Sequence, residues 1–188
     1  MVGTMVQDMC RAWIKEYSKI IESLLKESRN ILDVGTGNGL IIDLILSILP
    51  HVYLVSIDDI KHNIEKAKSK FRNYIEAKRL KLMYMDLSKF EFADCTFDSV
   101  VSFDTLHRVK DIPSTIAEII RVTRENGIII LCDWSTSAAY LKCTEEDPQK
   151  LANTMSAVFS EVGKLNYIKE LVAILVPVYI IVIRKRKQ

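Results

Sequence analysis

A glycine-rich segment near the start of the chain constrains the fold more than any other feature. Residues 31–40 read Ile-Leu-Asp-Val-Gly-Thr-Gly-Asn-Gly-Leu, so an apolar run leads into three alternating glycines, Gly35, Gly37 and Gly39. A second apolar run, Leu40 to Leu49, follows and is long enough for a helix. A strand, a glycine turn and a helix in this order form a unit that brings backbone N–H groups close to a ligand. A tight turn that only happens to carry glycines is the alternative.

The spacing of the glycines separates this turn from a dinucleotide-binding turn. The dinucleotide fingerprint G-x-G-x-x-G has its third glycine where this chain has Leu40. The pattern here is D-x-G-x-G-x-G, beginning at Asp33. It resembles the first motif of the class I S-adenosylmethionine-dependent methyltransferases, whose turn holds the aminocarboxypropyl chain of S-adenosyl-L-methionine. The resemblance implies a cofactor site formed by Asp33, Gly35, Thr36, Gly37, Asn38 and Gly39.

Length, composition and charge favour one globular domain. The chain has 188 residues, of which 49% are hydrophobic and 27% charged, so it can bury a sizeable core. We expect a single domain over residues 1–188, with an N-terminal helix in 1–28 and the core in 29–188. The net charge of +2 is too close to balance to indicate nucleic acid by itself. The basic run Arg184–Lys187 is expected to be a solvated tail, so nucleic acid is not the expected partner.

Cysteine usage and hydropathy indicate a cytoplasmic protein. The cysteines show no C-x-x-C pairing, so neither a disulfide framework nor a metal site is expected. Charged residues at Asp8 and Arg11 argue against a signal peptide. The apolar stretch Leu171–Ile183 is too short to span a bilayer and contains Pro177, so no membrane span is expected.

Strand and helix patterns alternate along the rest of the chain. They predict an α/β fold: a three-layer, Rossmann-like αβα sandwich with a seven-stranded, mostly parallel sheet and a C-terminal antiparallel hairpin. The predicted strands begin at Ile31 and continue with His51–Ile57, Leu80–Met85, Phe97–Phe103, Ile128–Cys132, Tyr167–Ala173 and Val178–Lys185. The predicted helices are Met5–Leu25, Leu40–Leu49, Ile60–Ala77, Pro113–Arg124, closed by Asn126-Gly127, and Pro148–Lys164, with Ser135–Asp147 as a loop.

Four acids lie at the ends of predicted strands: Asp33, Asp58, Asp86 and Asp133. Ligands of open parallel sheets bind beyond the carboxyl ends of the strands, so we expect these carboxylates to meet at one edge. An acid about 20 residues past the glycine turn is where a ribose diol is held. Asp58 has that position, with Asp59 beside it, although either acid at a loop start also suits a helix cap.

The resemblance to small class I methyltransferases extends from Ile31 to Ser135. It implies that Asp86 accepts from the adenine amino group and that Leu87 supplies a backbone contact. It also implies that Ser102 and Phe103, at the end of the fourth strand, belong to the cofactor site.

The segment Asp104–Asp111 resembles the "LHH" segment of the group that includes the ubiquinone and menaquinone biosynthesis C-methyltransferases. Arg108 stands where that segment has its second histidine. His107 is the candidate general base if the acceptor must lose a proton, and a packing role beside the cofactor is the alternative. Asp133 is a second catalytic candidate. The expected substrate-pocket residues are Trp13, Tyr17, Asp104, Trp134 and Tyr140, although Trp13 and Tyr17 also suit a core helix face.

These features together predict methyl transfer from S-adenosyl-L-methionine to a small-molecule acceptor. No N-P-P-Y-type motif follows the fourth strand, which argues against methylation of nucleic-acid bases. Three alternatives stay open: a nicotinamide-linked oxidoreductase, which the Leu40 spacing disfavours, a catalytically silent cofactor-binding module, and an RNA or protein methyltransferase. The methylated atom and the oligomeric state do not follow from the sequence.

Overall fold

The computed structural model describes residues 17–140, 144–165, 168–175 and 177–185, with the segment 168–175 described by its backbone alone. The predicted helix residues before position 17, including Trp13, lie outside this part of the chain. The strands are β1 (Asn30–Val34), β2 (Tyr53–Asp58), β3 (Leu80–Tyr84), β4 (Phe97–Phe103), β5 (Thr123–Trp134), β6 (Ile168–Leu175) and β7 (Val178–Arg184). The helices are α1 (residues 17–25), α2 (Leu40–Ile48), α3 (Lys61–Lys70), α4 (Arg72–Glu76), α5 (Ile112–Val122), α6 (Thr136–Tyr140) and α7 (Pro148–Lys164).

The strands form one sheet in the order β3-β2-β1-β4-β5-β7-β6. Strands β1 to β5 pair in parallel, whereas β7 runs antiparallel to both β5 and β6. The order reverses at β1, which pairs with β2 on one side and with β4 on the other. A crevice for a ligand opens at such a reversal, beyond the carboxyl ends of the strands. The predicted α/β fold is confirmed.

Two hydrophobic layers cover the sheet, one on each face. Successive residues of a strand point to opposite faces, so Ile31 belongs to one layer and Leu32 to the other. The first layer packs α1, α2 and α3 against the sheet, and the second packs α5 and α7. Burial on both faces explains why the parallel strands read as nearly continuous apolar runs.

The predicted helix Ile60–Ala77 is divided at Phe71 into α3 and α4. Phe71 leaves helical geometry, with φ of −109° and ψ of 25°, and its side chain is buried. The ring lies where a Cβ atom on Gly39 would be, so Phe71 packs directly on the glycine turn. Local helix propensity alone predicts one continuous helix here, and the tertiary contact of Phe71 interrupts it.

The prediction that Asn126-Gly127 closes the helix before β5 was wrong. Helix α5 ends at Val122, and β5 begins at Thr123. The register between β4 and β5 shifts between Phe97 and Ser99, and Asn126, with φ of 61°, donates its N–H to the carbonyl of Lys185. The Asn-Gly pair therefore marks an irregularity within β5.

The segment Ser135–Asp147 is not wholly a loop, because α6 occupies Thr136–Tyr140. Among the described residues, no helix is both long and apolar enough to cross a membrane.

Candidate active site

The glycine turn after β1 is held by the end of β2. The N–H groups of Gly35 and Thr36 both donate to the carbonyl of Ile57, at 2.9 and 3.1 Å. The N–H of Gly37 donates to Oδ2 of Asp58 at 2.8 Å. These bonds fix the turn across the two neighbouring parallel strands at their carboxyl ends.

The three glycines have different reasons to lack a side chain. All three have positive φ, which favours glycine. A Cβ atom at Gly35 would overlap Thr105, and one at Gly39 would overlap the ring of Phe71. A Cβ atom at Gly37 would meet no protein atom within 4 Å. Gly37 therefore leaves backbone open toward a cavity, whereas the other two glycines allow close packing.

Asp33 lies beneath the turn as a fully buried carboxyl group. Ser56 donates its hydroxyl to Oδ2 of Asp33 at 2.7 Å, and Ser56 lies 2.7 Å from the hydroxyl of Thr36. The second oxygen, Oδ1, has no hydrogen-bond partner. Burial raises the pKa of Asp33 to about 7, the bond from Ser56 opposes this, and the charge of Asp58 adds to it. The predicted cofactor residue thus supports the turn from inside the protein.

Asp58 is buried at the end of β2 and accepts four hydrogen bonds. Besides Gly37, the N–H of Ile60 donates at 2.8 Å, and the amide group of Asn63 lies 3.2 Å from both oxygens. Asp58 thus organises the loop before α3, but it is not the helix cap of the alternative prediction, because the N-cap residue of α3 is Ile60 and no side chain caps it. Asp59 is exposed, and its pKa is raised by partial desolvation and then by the charge of Asp58.

Asp86 and Leu87 follow β3 at the far side of the same edge. Asp86 is exposed, and its Oδ1 accepts from both the N–H and the hydroxyl of Ser88, which lowers the pKa of Asp86. Leu87 is buried.

A run of three adjoining cavities, here named the strand-end groove, connects these residues. A cavity of about 350 Å³ lies over the glycine turn, and a second of about 340 Å³ lies over Asp59, Asp86 and Leu87. A narrow space of about 40 Å³ joins them, sharing Gly35 and Gly37 with the first cavity and Asp59 and Leu87 with the second. The predicted cofactor residues at the carboxyl ends of β1, β2 and β3 therefore share one groove, except for Asp33, which is buried beneath the turn.

His107 lies at the end of β4 with its ring fully buried. Nδ1 lies 2.7 Å from Oδ1 of Asp133, and the backbone N–H of His107 donates to Oδ2 of the same carboxylate at 2.9 Å. On the other side, Nε of Arg108 donates to Nε2 of His107 at 2.9 Å. Since Nε2 accepts, the proton of a neutral imidazole is on Nδ1 and points to Asp133. Both nitrogens are thus engaged by protein groups.

Arg108, which stands at the place of a histidine, reaches into the groove. Its side chain is 55% exposed and lines both the cavity over the turn and the narrow space. Two carboxylates flank it at longer range: Oδ2 of Asp104 lies 3.9 Å from Nη2, and Oε1 of Glu146 lies 3.8 Å from Nε.

Donor atoms of Asp104, His107 and Asp133 lie within 4.8 Å of one another, a spacing that a metal ion can bridge. Arg108 already supplies a positive charge to this cluster through its bond to His107. A metal ion on Nε2 would have to displace that guanidinium.

The predicted substrate-pocket residues divide into those at the groove and those away from it. Asp104 lines the groove and accepts a hydrogen bond from Nε1 of Trp134. Burial raises the pKa of Asp104. Tyr17 is fully buried in the core, with its ring centroid 5.2 Å from that of Phe103, and Tyr140 is 76% exposed on α6.

The two predicted cofactor residues of β4 face differently. Phe103 lines the cavity over the turn. Ser102 is buried and donates its hydroxyl to the carbonyl of Val34 at 3.2 Å, so it joins β4 to β1.

Sequence reasoning missed Asn63, Lys66 and Glu146. Asn63 and Lys66 line the groove from α3, and Glu146 reaches His107 from the segment before α7, with 3.5 Å between Oε1 and Nε2. The inward face of α3 was detectable from its apolar spacing, but a contact from Glu146 depends on the path of the chain after α6.

Comparison with known proteins identifies the class. Residues 25–174 match the family described as "Methyltransferase domain". The chain belongs to this family, and the predicted relation to the class I S-adenosylmethionine-dependent methyltransferases is confirmed. The cofactor of such enzymes is S-adenosyl-L-methionine, as the sequence predicted.

Relatives include the ubiquinone/menaquinone biosynthesis C-methyltransferase of Desulfotalea psychrophila, which is 30% identical over 57% of this chain and 42% of that protein. The corresponding protein of Geobacter sulfurreducens is 25% identical over 85% of this chain and 63% of its own length. An O-methyltransferase of Aspergillus nomiae is 27% identical over 56% of this chain and 46% of that protein. The chain thus spans about half of the length of these relatives.

Solved structures share the fold. The PH0226 protein of Pyrococcus horikoshii superimposes with a TM-score of 0.74 at 18% identity, covering 94% of this chain and 91% of that one. A SAM-dependent methyltransferase of Aquifex aeolicus superimposes with a TM-score of 0.68 at 18% identity, covering 92% of this chain and 96% of that one.

The cofactor fits the residues present. Gly37 leaves space at the turn, and the groove extends from there past the acids of β2 to Asp86. The carboxylates along it suit hydroxyl and amino donors of a nucleoside.

Proposed function

We propose that this chain transfers a methyl group from S-adenosyl-L-methionine to a small-molecule acceptor. The observation that carries the proposal is the strand-end groove, which joins the glycine turn, the acids at the ends of β2 and β3, and the polar pair Asp104 and Arg108. Relatives named for quinone-biosynthesis C-methylation and for O-methylation support a small acceptor.

The roles within the groove follow from its lining. We assign the aminocarboxypropyl end to the turn at Gly37, the ribose to Asp58 and Asp59, and the adenine to Asp86 and Leu87. Asp58 is fixed by backbone N–H groups, so its carboxylate is held in one orientation before a ligand arrives. Such preorganisation reduces the ordering cost of binding.

The cofactor supplies a methyl group already activated by a positively charged sulfur. The chain therefore has to orient the acceptor, which is worth roughly 7–11 kcal/mol at best, and to exclude water. The groove end at Asp104, Phe103 and Arg108 is the place where an acceptor meets the turn.

For an acceptor that carries a proton, we assign the base to Asp104 and a positioning role to His107. Asp104 lines the groove, and its raised pKa brings it closer to the range in which a carboxylate accepts protons efficiently. The ring of His107 is buried between Asp133 and Arg108, so neither nitrogen is directed to the groove for proton transfer.

Transfer of a labelled methyl group from S-adenosyl-L-methionine tests this function. The purified protein is incubated with a small-metabolite extract, with total RNA and with a protein fraction in parallel. We expect label in the metabolite fraction, with Asp58→Ala as a low-activity control. Label confined to RNA or protein would contradict a small acceptor, and no incorporation in the presence of cofactor binding would indicate a silent binding module.

A further inference from the structure

Arg108 is anchored at one corner and leaves most of its donors unused. Its Nε–H donates to Nε2 of His107, which is itself fixed by Asp133. Among the described residues, neither terminal amino group of Arg108 donates a hydrogen bond. Oδ2 of Asp104 lies 3.9 Å from Nη2, and Oε1 of Glu146 lies 3.8 Å from Nε. The guanidinium is therefore held in place at Nε, and its two terminal amino groups form a free pair of donors.

The free pair lies at the groove rather than on an unrelated surface. Arg108 lines the cavity over the turn together with Gly37 and Lys66, and it lines the narrow space together with Asp104. An oriented guanidinium favours a planar group with two oxygens, because two parallel N–H bonds can form at once.

The neighbouring acids attract the guanidinium but accept no hydrogen bond from it. Asp104 and Glu146 lie beyond hydrogen-bond distance, so they contribute charge attraction but leave the N–H groups available. Lys66 adds a positive charge to the same cavity.

We propose that Arg108 binds a carboxylate group of a ligand in the strand-end groove. This inference rests on the proposed function. It attributes the presence of Arg108, where the related segment has its second histidine, to recognition of a carboxylate. Two sources share this chemistry: the acceptor and the amino-acid end of the cofactor. Asp133 and His107 act as positioning residues for the guanidinium.

Calorimetry with four proteins tests the assignment: wild type, Arg108→Gln, Arg108→Lys and, as a matched charge control, Lys164→Gln on the distant end of α7. The first arm compares S-adenosylhomocysteine with 5′-methylthioadenosine, which lacks the amino-acid end. The second arm titrates proteins saturated with S-adenosylhomocysteine with acetate and benzoate, beside acetamide and benzamide.

If the acceptor supplies the carboxylate, acetate or benzoate binds the wild type more tightly than the corresponding amide does. Arg108→Gln then weakens the binding of the carboxylate about 10- to 100-fold. If the cofactor supplies it, Arg108→Gln weakens S-adenosylhomocysteine by a similar factor and leaves 5′-methylthioadenosine unchanged. The affinity of Arg108→Lys should lie between those of the wild type and Arg108→Gln, because lysine keeps the positive charge but cannot donate two parallel N–H bonds.

Equal affinities of wild type and Arg108→Gln for every carboxylate ligand would overturn the inference, as would an equal loss in Lys164→Gln. Thermal unfolding of each variant verifies folding, and the partly exposed Arg108 side chain makes loss of the fold unexpected. Failure of the wild type to bind S-adenosylhomocysteine at all would instead contradict the proposed function.

Discussion

The Nδ1 atom of His107 lies 2.7 Å from Oδ1 of Asp133, and both side chains are fully buried. The carboxylate also accepts from the backbone N–H groups of His107 and Trp134. The pair therefore ties the segment after β4 to the end of β5, next to the groove.

We expect His107→Ala to lower the free energy of unfolding by about 1–3 kcal/mol, because a buried oxygen of Asp133 loses its ring donor. Urea denaturation measures this loss. The matched control is His62→Ala, which removes an exposed histidine from α3. Equal midpoints for the two variants would contradict the structural role of the pair.

Asp58→Ala should weaken both the cofactor site and the fold. The change removes the acceptor of the Gly37 and Ile60 N–H groups, which should cost about 1–3 kcal/mol of stability, and a similar loss of cofactor affinity is expected. The exposed neighbour Asp59 provides the control, since Asp59→Ala should leave thermal stability unchanged. Calorimetry with S-adenosylhomocysteine separates the two effects, and an unaltered dissociation constant in Asp58→Ala would leave Asp58 with a structural role only.

Alanine at Gly37 and at Gly39 should produce opposite patterns. Gly39→Ala adds a Cβ atom against the buried ring of Phe71, so overpacking of roughly 1–3 kcal/mol adds to the backbone strain. Gly37→Ala has only the backbone strain of roughly 1–2 kcal/mol, but its methyl group enters the groove. Thermal unfolding should rank Gly39→Ala as less stable, and S-adenosylhomocysteine should bind Gly37→Ala poorly. A reversed ranking would be inconsistent with the packing at Phe71.

Asp33 should make stability depend on pH in the absence of ligand. Burial raises the pKa of Asp33 from 3.8 to about 7, so the folded protein holds this proton more tightly than the unfolded chain. The stabilisation is complete below pH 3.8 and is lost as the pH rises through about 7. Each pKa unit corresponds to about 1.4 kcal/mol.

The neutral variant Asp33→Asn removes this dependence. Urea denaturation between about pH 5 and 8 should show the wild type losing stability relative to Asp33→Asn as the pH rises. Asp43→Asn, which changes an exposed acid of α2, should follow the wild type. Parallel curves for the wild type and Asp33→Asn would show that Asp33 keeps an ordinary pKa.

The sequence was sufficient to predict the glycine turn and the edge of the sheet at which the acids meet. Asp33, Asp58 and Asp133 lie at or next to the carboxyl ends of β1, β2 and β5, and these parallel strands end at a common edge. Local pattern was not sufficient where a distant contact decides the outcome. Phe71 interrupts a helix because its ring packs on Gly39, and Asn126 bonds to the backbone of Lys185 rather than ending a helix.

The candidate site shows the same division. Asp58 was found from its distance to the glycines, but the bonds that occupy it come from Asn63 and from the turn. The pattern around His107 indicated a base, whereas its ring is enclosed by Asp133 and Arg108. Side-chain partners that are far apart in the chain have no local signature.

Binding of the cofactor by the wild-type protein tests the central claim most directly. Isothermal titration calorimetry is performed with S-adenosyl-L-methionine, S-adenosylhomocysteine and NAD under the same conditions. We predict binding of the first two and none of NAD, because we assign the turn to an aminocarboxypropyl chain and because it has Leu40 where a dinucleotide turn has glycine. Binding of NAD without either sulfur compound would contradict the account.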